Sequence, residues 1–133
     1  MADHNFKVGD SASITKSFSS EEVLKFAEVS ADSNPIHLDE KTAAESIFGQ
    51  RVVHGMLVGS LFSGLIGMEL PGKGTIYLSQ NLRFKAPVFI DQEVTATVEI
   101  TDIRDDKPII KLRTSCLNAE GKTVIDGDAV VMV

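Results

Sequence analysis

Between Arg51 and Glu69 the chain runs without a formal charge, from Val52 to Met68. The stretch holds His54, Ser60, Ser63 and four glycines. A membrane span takes about 20 predominantly apolar residues. This segment falls at the short edge of that length and is interrupted by polar residues, so a buried helix is the better reading. A helix that is apolar nearly all round, in a chain of ordinary soluble composition, has to be buried on most sides. Whatever else the chain builds must therefore wrap around it.

The remainder has limited means to do so. At 133 residues the chain is one domain, residues 1–133, with no room for separate cofactor and substrate domains. Lys plus Arg number 13 against 19 Asp plus Glu, a net charge of −6. That balance excludes the broad basic field needed for duplex nucleic acid, while leaving room for a small basic patch toward a phosphate-bearing small molecule. Cys116 is the single cysteine, which rules out an intrachain disulfide. Residues 1–10 lack the basic-then-apolar order of a signal peptide, so the cytoplasm is the expected location.

Local signals divide the chain in two. Ser19-Ser20-Glu21-Glu22 has capping-box spacing, with Val23, Phe26, Ala27 and Ser30 at helical intervals after it. This helix is expected to end near Asp32, because Asn34 precedes Pro35 and is pushed out of the α region. A short polar helix is expected over 39–46. The apolar helix then opens near Gly55 and stops by Pro71-Gly72. After Gly74 the period becomes two. Ile76, Leu78, Leu82 and Phe84 share one parity, Val94, Ala96, Val98 and Ile100 another, and Ile110, Leu112 and Cys116 a third. Turns fall at 105–106 and 118–121, and a last strand runs over about 129–133. One buried helix with a curved antiparallel sheet is an α+β arrangement.

The densest polar cluster runs from Asp32 to Asp39. Asp32 and His37, held across a proline-stiffened turn, can face one water from two directions and exchange protons with it near neutral pH. Asn34 can brace the turn through side-chain-to-backbone bonds. The alternative is that Asp32 caps local backbone and His37 is a surface residue. Metal ligation by His37, Asp39 and His54 fits no common zinc spacing, and no metal site is expected. His54-Gly55 opens the apolar helix. Its free N–H groups either merely start a helix or act as oxyanion donors, with Gly55 allowing a ligand near the backbone. Ser60 and Ser63 read as helix serines that bond back to carbonyls of the preceding turn, and no Gly-x-Ser-x-Gly nucleophile elbow surrounds Ser60. Pro71-Gly72-Lys73-Gly74-Thr75 lacks the spacing and the adjoining helix of a phosphate loop and reads as a turn. Cys116 reads as a buried, inert thiol.

Taken together, three segments carry a family likeness. The run from Phe26 to His37, with Asp32-Ser33-Asn34-Pro35-Ile36-His37 at its end, resembles the hydratase 2 motif of the MaoC-like dehydratases. Arg51-Val52-Val53-His54-Gly55-Met56-Leu57 with Phe62-Ser63-Gly64-Leu65-Ile66 resembles that family's helix entry. The stretch from Leu70 to Val88 resembles the family's next segment. The likeness covers nearly the whole chain and points to the short (R)-specific enoyl-CoA hydratases of polyhydroxyalkanoate synthesis. Ala31 departs from the pattern, since many members carry Gly there.

The resemblance implies a hot-dog fold, a homodimer, and reversible syn hydration of a trans-2-enoyl-CoA to the (R)-3-hydroxyacyl-CoA. It implies Asp32 and His37 as the groups gripping water, the Gly55 N–H as oxyanion donor, Ser63 as a further site residue and Asn34 as support. It implies no metal, nicotinamide or flavin, coenzyme A being part of the substrate. Ile66, three residues past Ser63, and Val131 on the last strand are expected to line the acyl pocket. Branched residues at both positions suggest short chains of about four to six carbons, a steric expectation. A hot-dog thioesterase and a non-catalytic acyl-CoA-binding subunit are the alternatives.

Overall fold

A computed structural model describes residues 6–133. Residues 1–5, on which part of the signal-peptide reading rests, lie outside the described residues. The chain runs β1 (Ser11–Lys16), α1 (Ser20–Ser30), α2 (Pro35–Leu38), α3 (Glu40–Ala44), α4 (Gly55–Met68), β2 (Ile76–Phe84), β3 (Val94–Ile103), β4 (Ile109–Asn118) and β5 (Thr123–Met132). The strands form one antiparallel sheet in the order β1-β3-β4-β5-β2, so β1 and β2 are its edges.

The long central strands obey the alternation. Val94, Ala96, Val98 and Ile100 of β3 are buried, as are Ile110, Leu112 and Cys116 of β4. They pack on Val58, Leu61, Phe62, Leu65 and Ile66 of α4 in one cluster, the helix-inside-sheet layering of a hot-dog fold. Burial pushes the Cys116 thiol up to about 12, which leaves it unreactive.

The structure adds one strand and refines three expectations. First, β1 has no apolar alternation to announce it. It is held by its register on β3 and by hydroxyl pairs, Ser13 with Thr97 at 2.7 Å and Thr15 with Thr95 at 2.8 Å. Second, β5 begins at Thr123, well before 129, because Asp126, Gly127 and Asp128 break its apolar pattern while pairing with both neighbours. Third, Ile76, Leu78 and Phe84 do not all point inward but stand about half exposed, β2 being an edge strand whose register slips between Tyr77 and Ser79.

The fourth concerns α4, which is covered on most sides, as expected, but leaves one face open. Met56 and Met68 are exposed, as are Ser60, Ser63 and Gly64. One face of the helix and the edge strand beside it thus leave apolar side chains in the open. Strand β2 lies against α4 where the helix has no side chains. The Leu82 side chain comes within 3.1 Å of where a Cβ on Gly59 would sit, and the Phe84 ring within 2.6 Å of the same point on Gly55.

Candidate active site

Helix α1 begins as its sequence dictates. Ser19 caps the Glu22 N–H while the Glu22 carboxylate accepts from the Ser19 N–H. It ends with Ala31 in the left-handed region at φ 65°. That conformation costs a non-glycine residue about 1 kcal/mol or more.

Beyond Ala31 each polar side chain braces its neighbour's backbone. Asp32 N–H donates to Ser30 Oγ, Asn34 N–H to Asp32 Oδ1 at 3.2 Å, and Ile36 N–H to Asn34 Oδ1 at 3.3 Å. Asn34 is the cap and Pro35 the first residue of α2. The expected turn is therefore a turn of helix, consistent with the fixed proline φ being suited to a first helical position.

This places His37 beside the strand-like segment before α4. His37 Nδ1 lies 2.7 Å from the Val52 carbonyl, Arg51 Nε donates to the His37 carbonyl at 2.7 Å, and the Val52 N–H donates to the Ile36 carbonyl. The Val53 N–H in turn bonds the Val88 carbonyl at 2.7 Å. A carbonyl can only accept, so the His37 proton sits on Nδ1 and, in the neutral ring, Nε2 carries a lone pair. That Nε2 is 3.9 Å from Asp32 Oδ2. The gap is too wide for a direct hydrogen bond and suits one water bonded to both. The His37 side chain is 12% exposed and that of Asp32 51%.

Both groups open onto a cavity of about 510 Å³. Asn34 and Gly55 also line it, Val58 and Ile125 contribute apolar wall, and Lys85 contributes the cation. His54 caps α4 without a side-chain bond. Among the described residues, neither the Gly55 nor the Met56 N–H has a protein acceptor. The positive end of the helix dipole therefore stands at the cavity. The close approach that Gly55 permits is made by the Phe84 ring of the chain itself.

The remaining expected residues lie elsewhere. Ser63 is exposed and outside the cavity lining. Ile66 and Val131 are buried in the core cluster and likewise not on the open wall. Residues three apart on a helix differ by about 60° in direction, enough here to place Ser63 on the open face and Ile66 on the packed one. Ser60 bonds the Leu57 carbonyl. Asp39, a candidate ligand in the sequence, caps α3 through Thr42 instead.

In the sequence His54 reads as a helix start. In the structure its ring stacks on His37 at 3.8 Å between centroids, and its Nε2 lies 2.9 Å from the Asp32 carbonyl. Burial pushes its pKa below the usual histidine range, with the Asp32 carbonyl bond opposing and nearby His37 adding to the fall. Ligand-type atoms of Asp32, His37 and His54 gather within 4.8 Å, but one nitrogen of each imidazole is already committed to a carbonyl.

An α+β hot-dog protein with an Asp–His pair at the N-terminus of its enclosed helix is the class that fold and site define. A family model described as MaoC like domain matches residues 3–121. The chain is 50% identical to an (R)-specific enoyl-CoA hydratase of Aeromonas caviae over 131 residues, covering 98% of each chain. It is 45% identical to an (R)-specific enoyl-CoA hydratase of Rhodospirillum rubrum, over 97% of this chain and 89% of that one. The solved structure of the (R)-hydratase from A. caviae involved in PHA biosynthesis superposes with a TM-score of 0.95 at 51% identity, covering 96% of this chain and 97% of that one. This chain belongs to the MaoC-like family.

Proposed function

We propose that this protein is an (R)-specific enoyl-CoA hydratase, adding water reversibly to a trans-2-enoyl-CoA to give the (R)-3-hydroxyacyl-CoA. The observation that carries the reading is the pairing of Asp32 Oδ2 and His37 Nε2, two acceptors 3.9 Å apart at the mouth of one cavity. Two acceptors hold a water by its two hydrogens and leave an oxygen lone pair free for C3. As oxygen bonds to C3, Asp32 takes one proton, and the electron pair of the double bond moves toward the thioester oxygen. The Gly55 N–H at the helix end stabilises that oxygen. The carboxyl then returns a proton to C2 from the same face, which makes the addition syn. His37 orients the water through Nε2. The reaction so written balances without metal, nicotinamide or flavin; coenzyme A enters as part of the substrate.

Crotonyl-CoA tests the reading directly. Loss of the enoyl absorbance with no free thiol, and with (R)-3-hydroxybutyryl-CoA as product, is the expected result. Release of thiol would make the protein a thioesterase, and no change would make it a binder.

The working unit in this reading is a homodimer. The unpaired edge of β2 carries half-exposed Ile76, Leu78 and Phe84, and the open face of α4 beside it carries exposed Met56 and Met68, side chains of the kind that need cover. The same face carries Ser63, so a site role for Ser63 is assigned to the assembled dimer. Sedimentation at micromolar concentration is expected to give twice the chain mass, and a monomer would remove this part of the reading. The enzyme works in the cytoplasm, its one cysteine a buried thiol.

Acyl length is set behind the cavity. Val58 and Ile125 on its wall belong to the same buried cluster as Ile66 and Val131, so these branched side chains close the inner end and favour short acyl groups. Trimming Ile66 to Ala is expected to raise the octenoyl-to-crotonyl rate ratio, at a stability cost of about 2–5 kcal/mol for the cavity. An unchanged ratio in a folded variant would move the acyl tunnel elsewhere.

A further inference from the structure

His54 is 2% exposed and makes three contacts, two of them to the water-gripping pair. Its Nε2 is 2.9 Å from the Asp32 carbonyl. Its face covers His37, with ring centroids 3.8 Å apart and planes 25° from parallel. Its other side meets the edge of Phe26 of α1, at 4.9 Å and 65°.

Because the carbonyl can only accept, the proton of the neutral His54 ring is on Nε2. Its Nδ1 is buried without a hydrogen-bond partner. A phenylalanine would fill the same space with no unpaired nitrogen, so packing alone does not account for an imidazole here. What the imidazole adds is the Nε2–H on Asp32, the residue just after a left-handed Ala31. The Asp32 carboxylate is thus held by the Asn34 N–H and its backbone carbonyl by His54, while the His37 ring is fixed at its edge by Val52 and across its face by His54.

We infer that His54 is a positioning residue for the hydration reaction: its Nε2–H locks the Asp32 backbone and its ring locks the plane of His37, setting the separation at which one water is held by both. The inference rests on the hydratase reading, and its tests separate the two. If the unmodified protein fails to hydrate crotonyl-CoA, that reading falls, whereas the state of the His54 ring is measured without substrate.

Two variants split the contacts. His54→Phe keeps a ring against His37 and loses the donor; His54→Gln keeps an N–H near the Nε2 position and loses the ring. With thermal unfolding confirming the fold, His54→Phe is expected to lower kcat for crotonyl-CoA by about tenfold or more, since misplacements of about 1 Å cost up to about a hundredfold. KM should stay within about twofold, because the phenyl ring takes the place of the imidazole in the cavity lining and the other lining residues are unchanged. His54→Gln is expected to recover at least half of that loss on a logarithmic scale, by restoring the bond to Asp32. Phe at wild-type kcat, or Gln no better than Phe, overturns the inference. Independently of any variant, long-range ¹⁵N–¹H spectra of the native protein at neutral pH should show His54 neutral and protonated at Nε2. A proton on Nδ1, or a charged ring, overturns it as well.

Discussion

Replacing Asp32 by Asn, or His37 by Gln, is expected to lower the turnover of crotonyl-CoA by at least about a hundredfold, the low end for loss of a general acid–base group. That corresponds to about 2.7 kcal/mol of transition-state stabilisation. Asn at 32 keeps an oxygen for the Asn34 N–H and so keeps the loop, but its amide cannot take the proton from water. Gln at 37 can reach toward the place of Nε2, but it gives up the Nδ1 bond to the Val52 carbonyl, a loss of about 1 kcal/mol of stability. Both variants should therefore fold, and circular dichroism with thermal unfolding checks this before rates are compared. Turnover within a few-fold of the native protein in either variant would remove that residue from the chemistry.

A large effect on stability is expected far from the pair, at Gly127. It lies on β5 between Thr114 of β4 and Leu82 of β2. A Cβ added there would stand 2.0 Å from the Asn81 carbonyl oxygen and 2.9 Å from the Asn81 carbonyl carbon. Both are backbone atoms, so no side chain can swing aside, and β2 itself would have to move. Gly127→Ala is expected to cost about 3 kcal/mol or more, the upper end of overpacking penalties, and to lower Tm by roughly 10 °C for a domain of this size. Because β2 also carries Leu82 and Phe84 onto Gly59 and Gly55 of α4, the shift reaches the start of the helix at the cavity. A Tm within about 2 °C of the native value would mean that β2 can slide at no cost, contrary to this account of how the sheet closes on the helix.

Much of the chain could be read because the signals are local. The capping box at Ser19 and Glu22 involves residues three apart, and it forms as read. The alternation along Val94 to Ile100 describes one strand with one buried face, and all four of its apolar residues are buried. The Asn34-Pro35 step starts a helix rather than an irregular turn, yet it still carries His37 into the cavity beside Asp32. Strand β1 escaped because its outer face is pinned by Ser and Thr hydroxyls, which carry no apolar period.

What the sequence determined, then, is whatever neighbours along the chain decide: caps, strand parity, a stiff Asp–Asn–Pro–His turn, and an uncharged helix that some sheet must enclose. Tertiary structure alone decided where distant segments meet. His54 lies seventeen residues from the ring it stacks on. Gly55 and Phe84 meet across the α4–β2 connection, and Gly127 faces the Asn81 carbonyl from another strand. Ser63 and Ile66, three residues apart, part company because one face of the helix is left open. Such contacts depend on the path of the backbone in space and on side-chain direction around a helix. Neither leaves a period or a motif in the residues themselves.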